Sequence, residues 1–407
     1  MRSVVIALLL GSLFAAPLGQ ARPGPPVLAA CAAFALDGSS AAVTADASSL
    51  SLEVTDPLGK VTHLNLGLRY STPPWHLENQ PYEPYSRFLS MCQVAFNHSG
   101  DLIAVSVATS ARLQIGVADL RNSKWVGDFD VEKQPEFSPV ALAGFLERGN
   151  SVVVTGALPA KGSVGIQAGS FATLLFDTTG RQLVSAPAVR TGLGPSDGLD
   201  GPILADAAHD RIWSLPCVVY DTKISKEPTC PILSTTLLRE ESQRSVFDPR
   251  GYVTKRTDLW MDPNTFASLD PNTLLIAESV AVEGNTIWRV DIQKRTLQRF
   301  VLPKRRHFPN FENIDGPAVP SPDGQVLAFL LEQGAVAFPF LVDNYVYKGA
   351  DIAVVQVQPF RLLGIVPHQH GVYHPWFAVD HRQGKVTILV YWRNRWERRE
   401  FSCPPDS

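Results

Sequence analysis

The sequence predicts an all-β chain in which one small antiparallel sheet is repeated. Three observations carry this prediction. Pairs of apolar strands joined by tight turns recur along the chain, residues within single strands alternate with period two, and the composition is rich in turn formers. Of 407 residues, 45% are hydrophobic and 18% charged, so a large core is available and global disorder is excluded. Glycine and proline number 29 and 32, enough to supply many turns. A formal charge of −3 excludes the basic excess that drives nucleic-acid binding.

Residues 92–130 give the clearest unit. Cys92–Phe96 is an apolar strand, Asn97-His98-Ser99-Gly100-Asp101 a turn, and Leu102–Val107 the next strand. Leu113–Asp119 alternates, Arg121-Asn122-Ser123 turns the chain, and Trp125–Val131 is the fourth strand. Four short antiparallel strands on tight turns make a meander. The pattern then recurs. Phe34–Val43 matches Phe96–Val105, and Phe145–Val154 repeats the pair around Gly149-Asn150. Ile203–Trp213 turns at His209-Asp210, and Phe266–Ala277 at Asp270-Pro271-Asn272. Val319–Phe329 turns at Ser321-Pro322-Asp323-Gly324, and Trp376–Leu389 at Arg382-Gln383-Gly384. That makes seven units. The third strands Leu52–Asp56, Thr173–Asp177 and Thr286–Asp291 each end on Asp, as does the strand ending at Asp119. An aspartate there is expected to accept hydrogen bonds from turn amides.

A single four-stranded sheet has two faces to bury and two open edges. Seven of them arranged radially bury their faces on one another, which makes a seven-bladed β-propeller of four-stranded antiparallel blades. Tandem immunoglobulin-like sandwiches need about 100 residues each, too many for this spacing. The segments Val94-Ala95-Phe96-Asn97-His98-Ser99-Gly100-Asp101-Leu102-Ile103-Ala104-Val105 and Pro320-Ser321-Pro322-Asp323-Gly324-Gln325-Val326-Leu327-Ala328-Phe329 resemble WD-repeat-like and YVTN-type bacterial β-propellers. The strict Gly-His and Trp-Asp dipeptides of true WD repeats are absent, so the resemblance is one of fold. The last unit runs out of chain after three strands, and Val27–Ala30 is expected to supply its fourth strand and clasp the ring.

Met1–Ala21 reads as a signal peptide: Arg2 is the lone charge, Val4–Leu18 is apolar, and Gly19-Gln20-Ala21 ends in small residues. The propeller domain is then 22–407, secreted or periplasmic. Leu28-Ala29-Ala30-Cys31 looks like a lipobox, but Arg22-Pro23-Gly24-Pro25-Pro26 separates it from the apolar run, which disfavours lipidation. In an oxidising compartment Cys217 and Cys230, close in sequence, are expected to pair. Cys31, Cys92 and Cys403 cannot be paired from sequence, and an odd count leaves at least one thiol over.

In propellers of the kind resembled, ligands usually bind where the chain enters each inner strand, near the central channel. The residues there are Asp200 in Asp-Gly-Pro, Asp262 in Asp-Pro-Asn, Asp315 in Asp-Gly-Pro and His374 in Tyr-His-Pro-Trp. Converging carboxylates favour a divalent cation or a polyhydroxyl ligand; the competing expectation is that each Asp caps its own turn. His368, His370 and His374 make a three-imidazole metal site conceivable, with solvated loop histidines the commoner outcome. The basic run Lys304-Arg305-Arg306-His307 and the Arg/Trp-rich stretch 392–399 read as a solvated loop and a protected outer strand. Two insertions stand out, Pro216–Arg244 within unit four and Leu302–Asp315 leading into unit six. No Gly-x-Ser-x-Gly elbow, phosphate loop or His-Glu-x-x-His occurs. No cofactor is expected beyond that cation. The leading expectation is a non-catalytic binding module in the cell envelope, recognising a protein, peptide or glycan. A lactonase-like or metal-assisted propeller hydrolase is the alternative, and a subunit of a larger periplasmic complex a third reading.

Overall fold

The structure, a computed structural model, describes residues 31–45, 50–66, 92–108, 112–132, 138–146, 150–158, 170–185, 189–190, 203–214, 232–236, 244–247, 261–278, 285–303, 305, 310–336, 345–367, 377–392 and 395–403. These residues are almost entirely strand, with one short 3₁₀ turn at Ala207–His209.

The described strands fall into seven antiparallel sheets, numbered here in chain order. Sheet 2 is typical: Cys92–Phe96, Leu102–Ala108, Arg112–Asp119 and Lys124–Glu132 pair in that order. Its bounds differ from the sequence reading by at most a residue at each end. Sheet 1 spans Cys31–Phe34 to Val61–Leu66, sheet 4 Ile203–Asp206 to Arg244–Phe247, sheet 5 Met261–Asp270 to Thr296–Val301 and sheet 6 Asn310–Pro320 to Phe360–Val366. Sheet 3 starts with Ser138–Phe145 and carries a fifth, two-residue strand at Val189–Arg190. Sheet 7 has three described strands, Phe377–Arg382, Lys385–Trp392 and Arg395–Ser402. The expected closing strand Val27–Ala30 lies outside the described residues, as does the leader Met1–Ala21.

The apolar cores lie between sheets. Val43, Leu52 and Val54 of sheet 1 pack on Ile103, Val105 and Val107 of sheet 2. Ile115, Val117 and Val131 of sheet 2 pack on Leu142, Val152 and Phe176 of sheet 3. Leu275 and Ile287 of sheet 5 meet Leu327, Phe329 and Val355 of sheet 6, whose other face, with Ala328 and Val354, meets Val379 and Ile388 of sheet 7. Sheets 2 and 6 thus bury both faces by alternation, residue i to one neighbour and i+1 to the other. The first strand of each sheet lies against that of the next, and Cys31–Phe34 lies against Phe377–Arg382. This radial packing of four-stranded meanders is a β-propeller.

The aspartates that end third strands do cap turns. Asp56 Oδ1 accepts from the amides of Leu58 and Lys60 at 2.9 and 2.8 Å, Asp177 Oδ1 from those of Thr179 and Arg181 at 3.0 Å each, and Asp291 Oδ1 from that of Lys294 at 2.8 Å. Asp119 Oδ1 accepts from the amide of Asn122 at 3.1 Å. These bonds hold the Asp177 carboxyl down at about 2, led by the Thr179 hydroxyl, and lower Asp291, led by the Lys294 amide.

One open pairing is filled and two expectations change. Cys31 bonds Cys92, tying the inner strands of sheets 1 and 2. A sulfur in that bridge has no thiol to give to a lipid, so the lipobox reading falls. Cys217 and Cys230 lie outside the described residues, and Cys403 is buried outside the bridge. The stretch Pro216–Arg244 is not one insertion, because Ile232–Thr236 within it is the third strand of sheet 4. Likewise Leu302–Asp315 is partly strand, since the inner strand of sheet 6 begins at Asn310. Among the described residues, no helix is long and apolar enough to cross a membrane.

Candidate functional site

In a meander, the turns joining strands one to two and three to four share one end of the sheet. The turn joining two to three and the crossover to the next sheet share the other. The first end is here called the turn face, the second the crossover face. The sequence candidates belong to the crossover face.

Two of them lie on described backbone. In sheet 5 the inner strand pairs Met261 with Glu278 and next Phe266 with Ile276. Asp262-Pro263-Asn264-Thr265 therefore stands opposite the single residue Ala277 and leaves the ladder. In sheet 6, Ile314 pairs with Leu331 and next Ala318 with Phe329, so Asp315-Gly316-Pro317 stands opposite Leu330 alone. Proline explains both breaks, because it has no amide to donate to a ladder. The two bulged strands lie against each other. Bulges of this kind free backbone and side-chain oxygens from the sheet and occur often beside binding sites. Ile314, just before the second bulge, is fully buried and fixes where it starts. Asp200, His374, His368 and His370 lie outside the described residues. Among the described residues, no three His, Cys, Asp or Glu side chains cluster as metal ligands.

Sheet 6 is also the longest, with strands of 11, 11 and 13 residues before its last. Only Ile352–Val357 of the third strand pairs with the fourth, so 345–351 extends past it toward the crossover face. On this extension Arg305 bonds Glu312 through Nε at 2.9 Å and Asp351 through Nη2 at 3.0 Å. Gln333 Nε2 donates to Asp351 at 2.5 Å. Burial disfavours the Arg305 cation, but the two carboxylates outweigh it and raise its affinity for the proton. The basic run seen in sequence thus spends one of its arginines inside the chain, on carboxylates nine to thirteen per cent exposed. Sequence spacing does not reveal this, because Arg305 and Asp351 are 46 residues apart.

On the turn face, neighbouring turns bond one another at several seams. Asp323 Oδ2 meets His381 Nδ1 at 2.7 Å between sheets 6 and 7. Arg382 bonds Asp380 through Nε at 2.9 Å and donates Nη2 to the carbonyls of Ala35 and Leu36 at 2.9 and 2.6 Å, joining sheet 7 to sheet 1. Asn97 Nδ2 reaches Asn150 Oδ1 at 3.1 Å between sheets 2 and 3. Gly38, at φ +98°, sits under the Arg382 guanidinium, where an added Cβ would lie 2.2 Å from Nη1. The sequence reading placed Arg382 in a turn but gave it no partner.

No protein-family model and no curated protein matches the chain. Solved structures do resemble it. An oligogalacturonate lyase in complex with manganese aligns with a TM-score of 0.51 at 9% identity, over 94% of this chain and 92% of that one. The β-propeller domain of the trilobed protease from Pyrococcus furiosus aligns with a TM-score of 0.46 at 10% identity, over 91% of each chain. The Dos1 propeller aligns at 0.40 and 10% identity, again over 91% of each. At such identities the likeness is one of fold. The neighbours include enzymes as well as propellers without a named activity.

Proposed function

We propose that the chain is an exported, non-catalytic β-propeller that binds a protein, peptide or envelope glycan at the crossover face of its channel. The observation that supports it is the pair of matching bulges bearing Asp262 and Asp315 on adjacent inner strands. Asp200 and His374 occupy the corresponding sequence positions of two further units and are proposed to complete the mouth. The Cys31–Cys92 bridge supports an oxidising compartment. The same oxygens favour a second reading, a metal-assisted hydrolase, because hard cations take carboxylate and carbonyl ligands.

One experiment separates the two. Purified full-length protein and the Asp262→Asn/Asp315→Asn variant are assayed for bound divalent metal and for retention of peptidoglycan fragments and envelope proteins. The binding reading expects metal-free protein that retains one component, with retention lost in the variant. A stoichiometric metal lost in the variant supports the hydrolase instead. Equal retention by both proteins overturns the site.

A further inference from the structure

The rim of the seam between sheets 5 and 6 holds a polar notch on the turn face, at the opposite end from Asp262 and Asp315. Ile287, Arg289 and Asp291 share one face of the third strand of sheet 5 by period two. That face packs on sheet 6: Ile287 is in the common core, and Phe300, opposite Ile287, stacks on Phe360 at 4.2 Å. One pair further out, the seam turns polar. Arg289 stands opposite Gln298, and Asp291 opposite Thr296. With Lys294 and with Gln358 from sheet 6 they line a cavity of about 260 Å³.

The charges in this notch are unequally satisfied. Asp291 has its partners: the Lys294 amide at 2.8 Å and the Lys294 ammonium at 3.2 Å. Arg289 does not. Its Nε is buried with no hydrogen-bond partner, and its charge acts on Asp291 only as the weakest of that carboxylate's attractions. A buried donor of a charged group left unpaired is costly. With Lys294 assigned to Asp291, one positive charge in the notch is uncompensated.

We propose that this notch is a binding site for a small hydroxylated carboxylate. The guanidinium fork matches a carboxylate with two parallel N–H···O bonds. Gln298, Thr296 and Gln358 supply neutral donors and acceptors for hydroxyls beside it. The volume lies below the roughly 300–1,000 Å³ of drug-sized sites, which limits the ligand to a small molecule. A singly charged anion fits better than phosphate, whose additional negative charge would face the Asp291 carboxylate.

Glucuronate, glucose and inorganic phosphate, titrated calorimetrically into the full-length protein at constant ionic strength, test the proposal. Glucuronate is expected to bind one to one, glucose not at all, and phosphate more weakly than glucuronate. Arg289→Gln is expected to weaken glucuronate at least tenfold, and Arg289→Lys to weaken it less, because the charge stays while the fork is lost. Equal glucuronate affinity in Arg289→Gln, equal binding of glucose, or tighter binding of phosphate overturns the site. Should Arg289→Gln fail to fold, the Arg289→Lys variant and the three-ligand series on the wild type decide the matter by the same outcomes.

Discussion

The two seams that flank sheet 1 and the seam between sheets 5 and 6 use polar groups in opposite ways. Around sheet 1, polar and covalent links join neighbouring sheets. Cys31–Cys92 bridges to sheet 2, and Trp125 Nε1 of sheet 2 donates to the Asn65 carbonyl at 2.7 Å. On the other side, Arg382 spends Nη2 on two carbonyls of sheet 1 and Nε on Asp380, while Trp396 Nε1 donates to the Val43 carbonyl at 3.3 Å. Between sheets 5 and 6 the contact is a broad apolar core, and the arginine at its rim has an unpaired donor. The described links between sheets 7 and 1 are all noncovalent, whereas sheets 5 and 6 follow one another in the chain. An arginine with every visible bond made is a clamp. An arginine with an orphaned donor in a seam that is already apolar is a site.

The largest expected effect is at the covalent link. The disulfide closes a sequence separation of 61 residues, for which loop-closure entropy gives about 4 kcal/mol. A Cys31→Ala/Cys92→Ala variant is therefore expected to lose about that much in denaturant unfolding. An unchanged midpoint would mean that the noncovalent contacts of sheet 1 suffice alone.

Arg382→Leu comes next, at about 2–3 kcal/mol, because hydrogen bonds to a charged donor are lost while the carbonyls and Asp380 stay behind. Its pH dependence is distinctive. Burial pushes the Asp380 carboxyl above its ordinary value of 3.8, and the Arg382 charge pulls it partly back. A raised carboxyl contributes stability below 3.8 that is lost as pH climbs through its folded value. Without Arg382 the folded value moves higher, so the variant's deficit should grow between pH 4 and pH 7 and shrink in acid. Tm measured for both proteins across that range checks it. A deficit independent of pH would detach Asp380 from the clamp.

Gly38→Ala attacks the same clamp from below. A β-carbon at φ +98° is strained, and the guanidinium must leave its carbonyls to make room. About 1–2 kcal/mol is expected from the backbone term alone. Adding Arg382→Leu should cost little more, since both changes act on one contact. Fully additive losses would show that Gly38 and Arg382 act independently.

The repeat and most of its strand bounds were legible because most units write their own local signals: period-two alternation, turn residues, and an Asp that caps the turn after the third strand. Ile232–Thr236 and the start of Asn310–Pro320 were not legible. Leu113–Asp119 and Asp177 could be read from their immediate neighbours. Links between units were not legible, because they join residues with no fixed spacing. Cys31 finds Cys92 across a whole sheet, and Arg382 finds Ala35 from the far end of the chain. The candidate site was half visible. Asp262 and Asp315 were picked out by their place just before an inner strand, in proline-containing turns, and those prolines are what break the ladder. Arg289 gave no such sign. In Thr286–Asp291 it reads as an ordinary polar residue on an alternating strand, and only the stacking of sheet 6 makes its surroundings unusual.

The smallest expected effect is the one that sharpens the comparison most. Arg289→Leu removes a guanidinium of similar exposure to that of Arg382, from a seam of the same propeller. It deletes a buried donor that has no hydrogen-bond partner, so stability should not fall, and a gain of up to about 1 kcal/mol is expected. One small pH dependence is expected. The Asp291 carboxyl is held down chiefly by the Lys294 amide and only slightly by Arg289. A lowered carboxyl contributes stability above 3.8 that is lost as pH falls through its folded value, and removing Arg289 raises that value a little. In thermal unfolding, the variant's stability relative to wild type should therefore be marginally lower at pH 7 than in acid, where this small difference closes as the carboxyl protonates. A loss as large as that of Arg382→Leu would make Arg289 a second clamp, and the notch would then be part of the scaffold that holds sheets 5 and 6 together.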